Sequence, residues 1–105
     1  MTDKVLILTT TGNESEARKI AQELVGRRLA ACVNIIPRIQ SVYRWEGKVE
    51  SAEEFLLLIK TARTRIEELQ SAIRELHSYD LPELVVIAME DGSEKYLNWI
   101  AESVS

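Results

Sequence analysis

A chain of 105 residues and 11.9 kDa has room for one domain, spanning 1–105, with a single modest core. Its 46% hydrophobic and 29% charged residues are a globular balance, and no apolar run approaches the ~20 residues of a membrane helix, so neither disorder nor membrane insertion is expected. A net charge of -4, with basic residues interleaved among acids as in Glu16-Ala17-Arg18-Lys19, disfavours a nucleic-acid partner, because such affinity rests on Lys and Arg displacing phosphate counterions.

Val5-Leu6-Ile7-Leu8 is a short branched apolar run that ends in Thr9-Thr10-Thr11-Gly12, and it reads as a strand buried on both faces. From Asn13 the period becomes helical: Ala17, Ile20, Ala21, Leu24 and Val25 form one stripe, Asn13 is the cap, and Glu16 completes a capping box. That helix is expected to end near Arg27 or Arg28. Residues 31–45 then favour extended structure through Val33, Ile35, Ile36, Ile39, Val42 and Tyr43, with Pro37 marking a bulge or a break in pairing. Trp45-Glu46-Gly47-Lys48 is a hairpin turn, and residues 49–61 return as a second long strand. Both strands exceed the usual 5–6 residues, so the hairpin overhangs a two-layer core and needs something else to pack on. Thr64-Arg65-Ile66-Glu67 reads as a capping box opening a second helix with the stripe Ile66, Leu69, Ile73 and Leu76. A loop at 77–82, a strand at 84–89 and a last helix carrying Tyr96, Leu97, Ile100, Ala101 and Val104 complete the chain. The order β-α-β-β-α-β with a C-terminal helix is that of an α+β, ferredoxin-like domain with both main helices on one sheet face.

Enzymatic motifs are missing. The segment after the first strand has one glycine and neither the lysine of a phosphate loop nor the arginine of acylphosphatase-like chemistry. One histidine, His77, and one cysteine, Cys32, do not make a hydrolytic triad, and the chain is expected not to be an enzyme. Cys32, in a strand beside Ala31 and Val33, has the setting of a small core hydrophobe; its sharper reading is a soft-metal ligand. His77 closes a helix, where a cationic ring meets the negative end, or else serves as a ligand. Together they supply two donors where structural zinc takes four. Glu54 and Lys60 share strand parity with Leu56 and Leu58, so both must be paired if that face is packed in an assembly. Tyr43, Trp45 and Tyr79 are aromatics of the interface type. The start Met1-Thr2-Asp3-Lys4 has no basic stretch or small-residue cleavage site; with a lone cysteine, it makes a reducing cytoplasm the expected compartment.

Several pieces, in order, resemble one family: Arg28-Leu29-Ala30-Ala31-Cys32-Val33-Asn34, Ile36-Pro37, Ser41-Val42-Tyr43-Arg44-Trp45-Glu46-Gly47-Lys48, Glu54, Ile59-Lys60-Thr61, His77-Ser78-Tyr79-Asp80-Leu81-Pro82-Glu83, and Tyr96 with Trp99. The set is similar to CutA divalent-cation tolerance proteins over nearly the whole chain. The resemblance implies a homotrimer in which the long strands form intersubunit sheets, and a role in tolerance of copper or another divalent cation. In bacterial members a first-strand cysteine and two consecutive histidines are associated with copper; here those positions are Thr9, Leu76 and His77. Tyr43, Trp45, Glu54, Lys60, Tyr79 and Glu83 are the implied constellation of an intersubunit cleft. His77 and Cys32 are the candidate metal ligands, and a signalling or scaffold trimer that binds a small anion or a partner protein is the alternative.

Overall fold

The computed structural model describes residues 2–105. Strands β1 (Lys4–Thr11), β2 (Cys32–Trp45), β3 (Lys48–Ala62) and β4 (Val85–Ala88) form one antiparallel sheet in the order β2-β3-β1-β4. Helices α1 (Glu14–Gly26), α2 (Ile66–Leu76) and α3 (Glu94–Ser103) follow β1, β3 and β4. This is the βαββαβ arrangement with an added C-terminal helix.

Side chains alternate across a strand and paired residues share a face. Val5 and Ile7 of β1 stand beside Leu57 and Ile59 of β3, and all four are fully buried beneath Ala17, Ile20 and Leu24 of α1 and Leu69, Ala72 and Ile73 of α2. Leu6 and Leu8 point the other way and stay half-buried. The expectation that the first strand is covered on both faces is therefore corrected. Leu56 and Leu58 share that second face, as do Val85 and Ile87 of β4, each 44% exposed, and neither α1 nor α2 reaches it. The strand also runs further than the apolar stretch suggests, because Thr9, Thr10 and Thr11 keep pairing with Leu57, Leu56 and Phe55. β-branched threonines fit a strand, and here they are buried.

Helix starts follow local chemistry unevenly. Asn13 Oδ1 accepts the Glu16 amide at 2.8 Å, so α1 is capped as expected, but the Glu16 carboxylate turns away to the 77–79 loop. The box at Thr64 does not form. A 3-10 turn over Arg63–Arg65 precedes α2 instead, and the Ile66 amide donates to the Arg63 carbonyl, so that donor is satisfied by the tighter turn without a side-chain cap. Arg65 is drawn off to the Val104 carbonyl at 2.8 Å. At the end of α1 it is Arg28, with φ 61°, that takes the left-handed conformation; its guanidinium donates to the Ser105 and Glu102 carbonyls at 3.1 and 3.2 Å and ties α3 down. Ser93 caps α3 through the Tyr96 amide. Ile100 and Val104 are buried against Ala31 and Ala62, while Tyr96 lies outside the stripe assigned to it, 43% exposed and stacked near Trp99.

The hairpin sets the molecule's shape. Strands of 14 and 15 residues stretch the protomer to 44 × 25 × 23 Å. Its turn holds Glu46 at φ 50° and Gly47 at φ 80°, two positive angles that match the strand twist. At the other landmark, pairing steps from Ile36↔Leu56 to Ile39↔Glu54, so β2 spends three residues where β3 spends two. Pro37 cannot donate to the ladder and Arg38 takes φ 58°, which together make this bulge. Gly47→Ala finds open space for its methyl but not a comfortable backbone, and a destabilisation of about 1 kcal/mol is expected by urea denaturation.

Candidate functional site

The bulge sets the phase of the outer half of the hairpin. Past Arg38 the pairs Ile39↔Glu54, Ser41↔Ala52, Tyr43↔Glu50 and Trp45↔Lys48 share a face, and the loop 77–83 rises beside it. Together they wall an open cleft of about 820 Å³ lined by Thr10, Tyr43, Trp45, Glu50, Glu54, Tyr79, Asp80 and Glu83 among others.

His77 anchors the loop. β4 pairs only with Val5–Leu8, so β1 beyond Leu8 has no strand neighbour on that side. His77 takes the vacated place, with Nε2 donating to the Thr10 carbonyl at 2.6 Å and Nδ1 accepting the Tyr79 amide at 3.1 Å. Glu16 Oε1 lies 3.4 Å from Nδ1, and the imidazole is wholly buried. With both ring nitrogens engaged, the next residue but one is aimed: Tyr79 donates its hydroxyl to Glu54 Oε2 at 2.8 Å. Gly12 makes room, since a methyl there would lie 3.1 Å from the Tyr79 oxygen.

Glu54 is 8% exposed, and Tyr79 supplies the donor that a buried carboxylate requires. The effect on the phenol is reciprocal. Desolvation first, then the hydrogen bond and charge of Glu54, hold the Tyr79 proton well above the ordinary value of 10.0.

Five of the six expected cleft residues converge: Tyr43, Trp45, Glu54, Tyr79 and Glu83. Lys60 does not. It shares parity with Glu54, but six residues along β3 place it about 20 Å away. There its amino group donates to Asn34 and lies 3.8 Å from Cys32 Sγ. Parity predicts a face; it does not predict a neighbourhood. Thr10, Gln40, Ser41, Glu50 and Asp80 also line the cleft, and neither periodicity nor motif marks most of them for it. Ser41 and Asp80 lie inside the family-like motifs, and Glu50 carries a signal as the partner of Tyr43 across the hairpin turn.

The two candidate metal ligands are apart as well. Cys32 pairs with Lys60, which pairs with Leu6, whereas His77 sits on Thr10, so the two are offset by four residues, about 13 Å, along the strand direction and lie on opposite sides of β1. Thr9, the first-strand position, faces the helix layer fully buried, and its Oγ1 has no hydrogen-bond partner among the described residues. No group of three or more His, Cys, Asp or Glu that could hold a metal occurs among the described residues. The side chains of one protomer do not fit a resident copper or zinc ion.

A family model described as CutA1 divalent ion tolerance protein matches residues 5–103. The chain belongs to that family. Protein CutA, chloroplastic, of Arabidopsis thaliana is 43% identical over 94% of this chain, which spans 54% of that protein's length. The Divalent-cation tolerance protein CutA of Thermus thermophilus is 43% identical, over 93% of this chain and 95% of its own. The crystal structure of CutA from Xylella fastidiosa superposes with a TM-score of 0.97 at 38% identity, covering 99% of this chain and 100% of that one. The CutA1 fold and a general place in divalent-cation tolerance follow. No described helix is long and apolar enough to cross a membrane.

Tyr79→Phe removes the donor to Glu54, and a loss of about 1 kcal/mol is expected at neutral pH. Because the folded chain holds the phenolic proton more tightly than the unfolded one, this contribution is intact below the ordinary tyrosine value and is lost as pH rises beyond it. The gap in denaturation midpoint between wild type and Tyr79→Phe should therefore narrow above about pH 10. A gap that widens there would contradict the assigned bond.

Proposed function

We propose that this CutA1-family chain works as a homotrimer in divalent-cation tolerance, with the cleft beside the hairpin as its working site and no chemical reaction of its own. The supporting observation is the second sheet face. Leu6, Leu8, Leu56, Leu58, Val85 and Ile87 form an apolar surface that α1 and α2 leave uncovered. Contiguous apolar surface of this kind marks association. The hairpin points the same way, since Val42 is 71% and Val49 68% exposed near its tip. Copies of one chain meeting through these faces bury the apolar surface, give the outer edge of β2 a partner and close the cleft.

Copper or another divalent cation is cargo for such a trimer. The carboxylates of the cleft attract cations through their field, so metal association is weak and strongly salt-dependent. Cys32 as a free thiol suits a reducing cytoplasm. The alternative of a scaffold that captures a partner protein draws on the exposed Trp45 and Leu81. Its small-anion form finds no Lys, Arg or His among the described residues that line the cleft of one protomer.

Light scattering should give about 36 kDa, three times the 11.9 kDa chain. Ile87→Glu is tolerable in an isolated protomer, where the side chain is already 44% exposed, and places a charge in the contact. It should yield folded species near 12 kDa, read by scattering together with circular dichroism. Wild-type protein that stays a folded protomer at micromolar concentration would sink the assembly.

A further inference from the structure

Helix α1 ends in a Schellman motif. The Arg28 amide donates to the Val25 carbonyl at 3.1 Å and the Leu29 amide to the Leu24 carbonyl at 2.9 Å. Such an end turns on one left-handed residue, usually glycine, and here that residue is Arg28 at φ 61°. A side chain kept on a disfavoured backbone calls for a compensating contact, and Arg28 has one across the molecule. Its Nε and Nη2 donate to the Ser105 and Glu102 carbonyls at 3.1 and 3.2 Å. From the β3–α2 connection, Arg65 Nε donates to the Val104 carbonyl at 2.8 Å. These carbonyls lie at and just past the last turn of α3, where the helix supplies no amide partners and its dipole is negative. Two guanidinium groups thus fasten one helix end.

Little else holds α3. Of its ten residues only Ile100 is buried. With Leu97 and Val104 it packs on Ala31, Ala62 and Met89, a small cluster separate from the core beneath α1 and α2. Few buried apolar contacts and a polar fastening describe a segment that opens below global unfolding. What it covers is one row of the second sheet face. Lys4 pairs with Ala62, and the Met89 amide carries the β4 ladder on to the Lys4 carbonyl. Ala62 and Met89 therefore stand next to Lys60 and Ile87, the partners of Leu6 on that same face. The uncovered apolar surface begins where α3 stops.

We propose that α3 is a strap, latched by Arg28 and Arg65, which opens as one unit while the sheet, α1 and α2 stay folded. Opening adds the Ala62–Met89 row to the apolar face, so the latch sets how far that face extends for association. The strap stands on the protomer alone; its control of association rests on the assembly reading above.

The test is native-state hydrogen exchange on the full chain, with scattering mass measured at the same concentration. In wild type the α3 amides of residues 98–102 should exchange about tenfold or more faster than the ladder amides of β1 and β3. Arg28→Gly and Arg65→Gln should each speed the α3 amides by about a further tenfold and leave the ladder rates unchanged. Arg28→Gly is the sharper probe, because glycine relieves the left-handed backbone, so faster α3 exchange there cannot come from added strain. The double variant Arg28→Gly/Arg65→Gln should form species heavier than wild type. Amides of α3 that exchange in step with β1 and β3 overturn the strap, as do α3 rates unmoved by both single variants. A loosened α3 with a mass no higher than that of wild type overturns its control of the face. Wild type that stays a protomer sinks the assembly reading and the association half of the proposal with it, a failure told apart from a failed latch by the exchange rates.

Discussion

The pairing of β2 with β3 is the constraint on which the rest of the molecule depends. It joins the edge of the sheet to its centre, carries the bulge, and extends beyond the layer that α1 and α2 cover. One half of the ladder lies over the core, where Val33, Ile35, Leu57 and Ile59 pack beneath the helices. The other half has no helix beneath it and has the cleft at its base. One continuous ladder thus transmits the rigidity of a buried core to a projecting arm, and a single protomer is left with apolar surface in water.

The bulge and the 77–79 loop act as two hands on one carboxylate. Were Pro37–Arg38 paired in the regular register of residues 32–36 instead of bulged, Tyr43 and Trp45 would fall on the opposite sheet face from Glu54. Without His77 on the Thr10 carbonyl, the loop would lose its buried tie to β1 and the Tyr79 amide its acceptor. The single histidine is therefore structural in the protomer. Its ring replaces a missing strand and, through the Tyr79 amide, fixes the cleft's one neutral donor to Glu54.

Membership of a divalent-cation family and the misfit of a resident metal are compatible. Field attraction needs only sign and density of charge, while coordination needs converging donors. The cleft has the first and lacks the second. Cys32 lies next to Lys60 and Asn34 on the sheet face that α1 and α2 leave uncovered, away from the cleft.

Period and turn chemistry were enough to determine the element order, the Asn13 cap, the Glu46–Gly47 turn and the break at Pro37, because each depends on residues close in the chain. The six-residue cleft set came from the family likeness, and five of its members do meet. What tertiary structure alone decided lies between elements. Within one protomer Lys60 stands apart from the other five, because distance along a strand is invisible to parity. His77 becomes a prop because its acceptor is 67 residues away in the chain. At Thr64 a 3-10 turn takes the place of the expected box. For His77 and Lys60 the partners that decide the placement are remote in sequence and close in space.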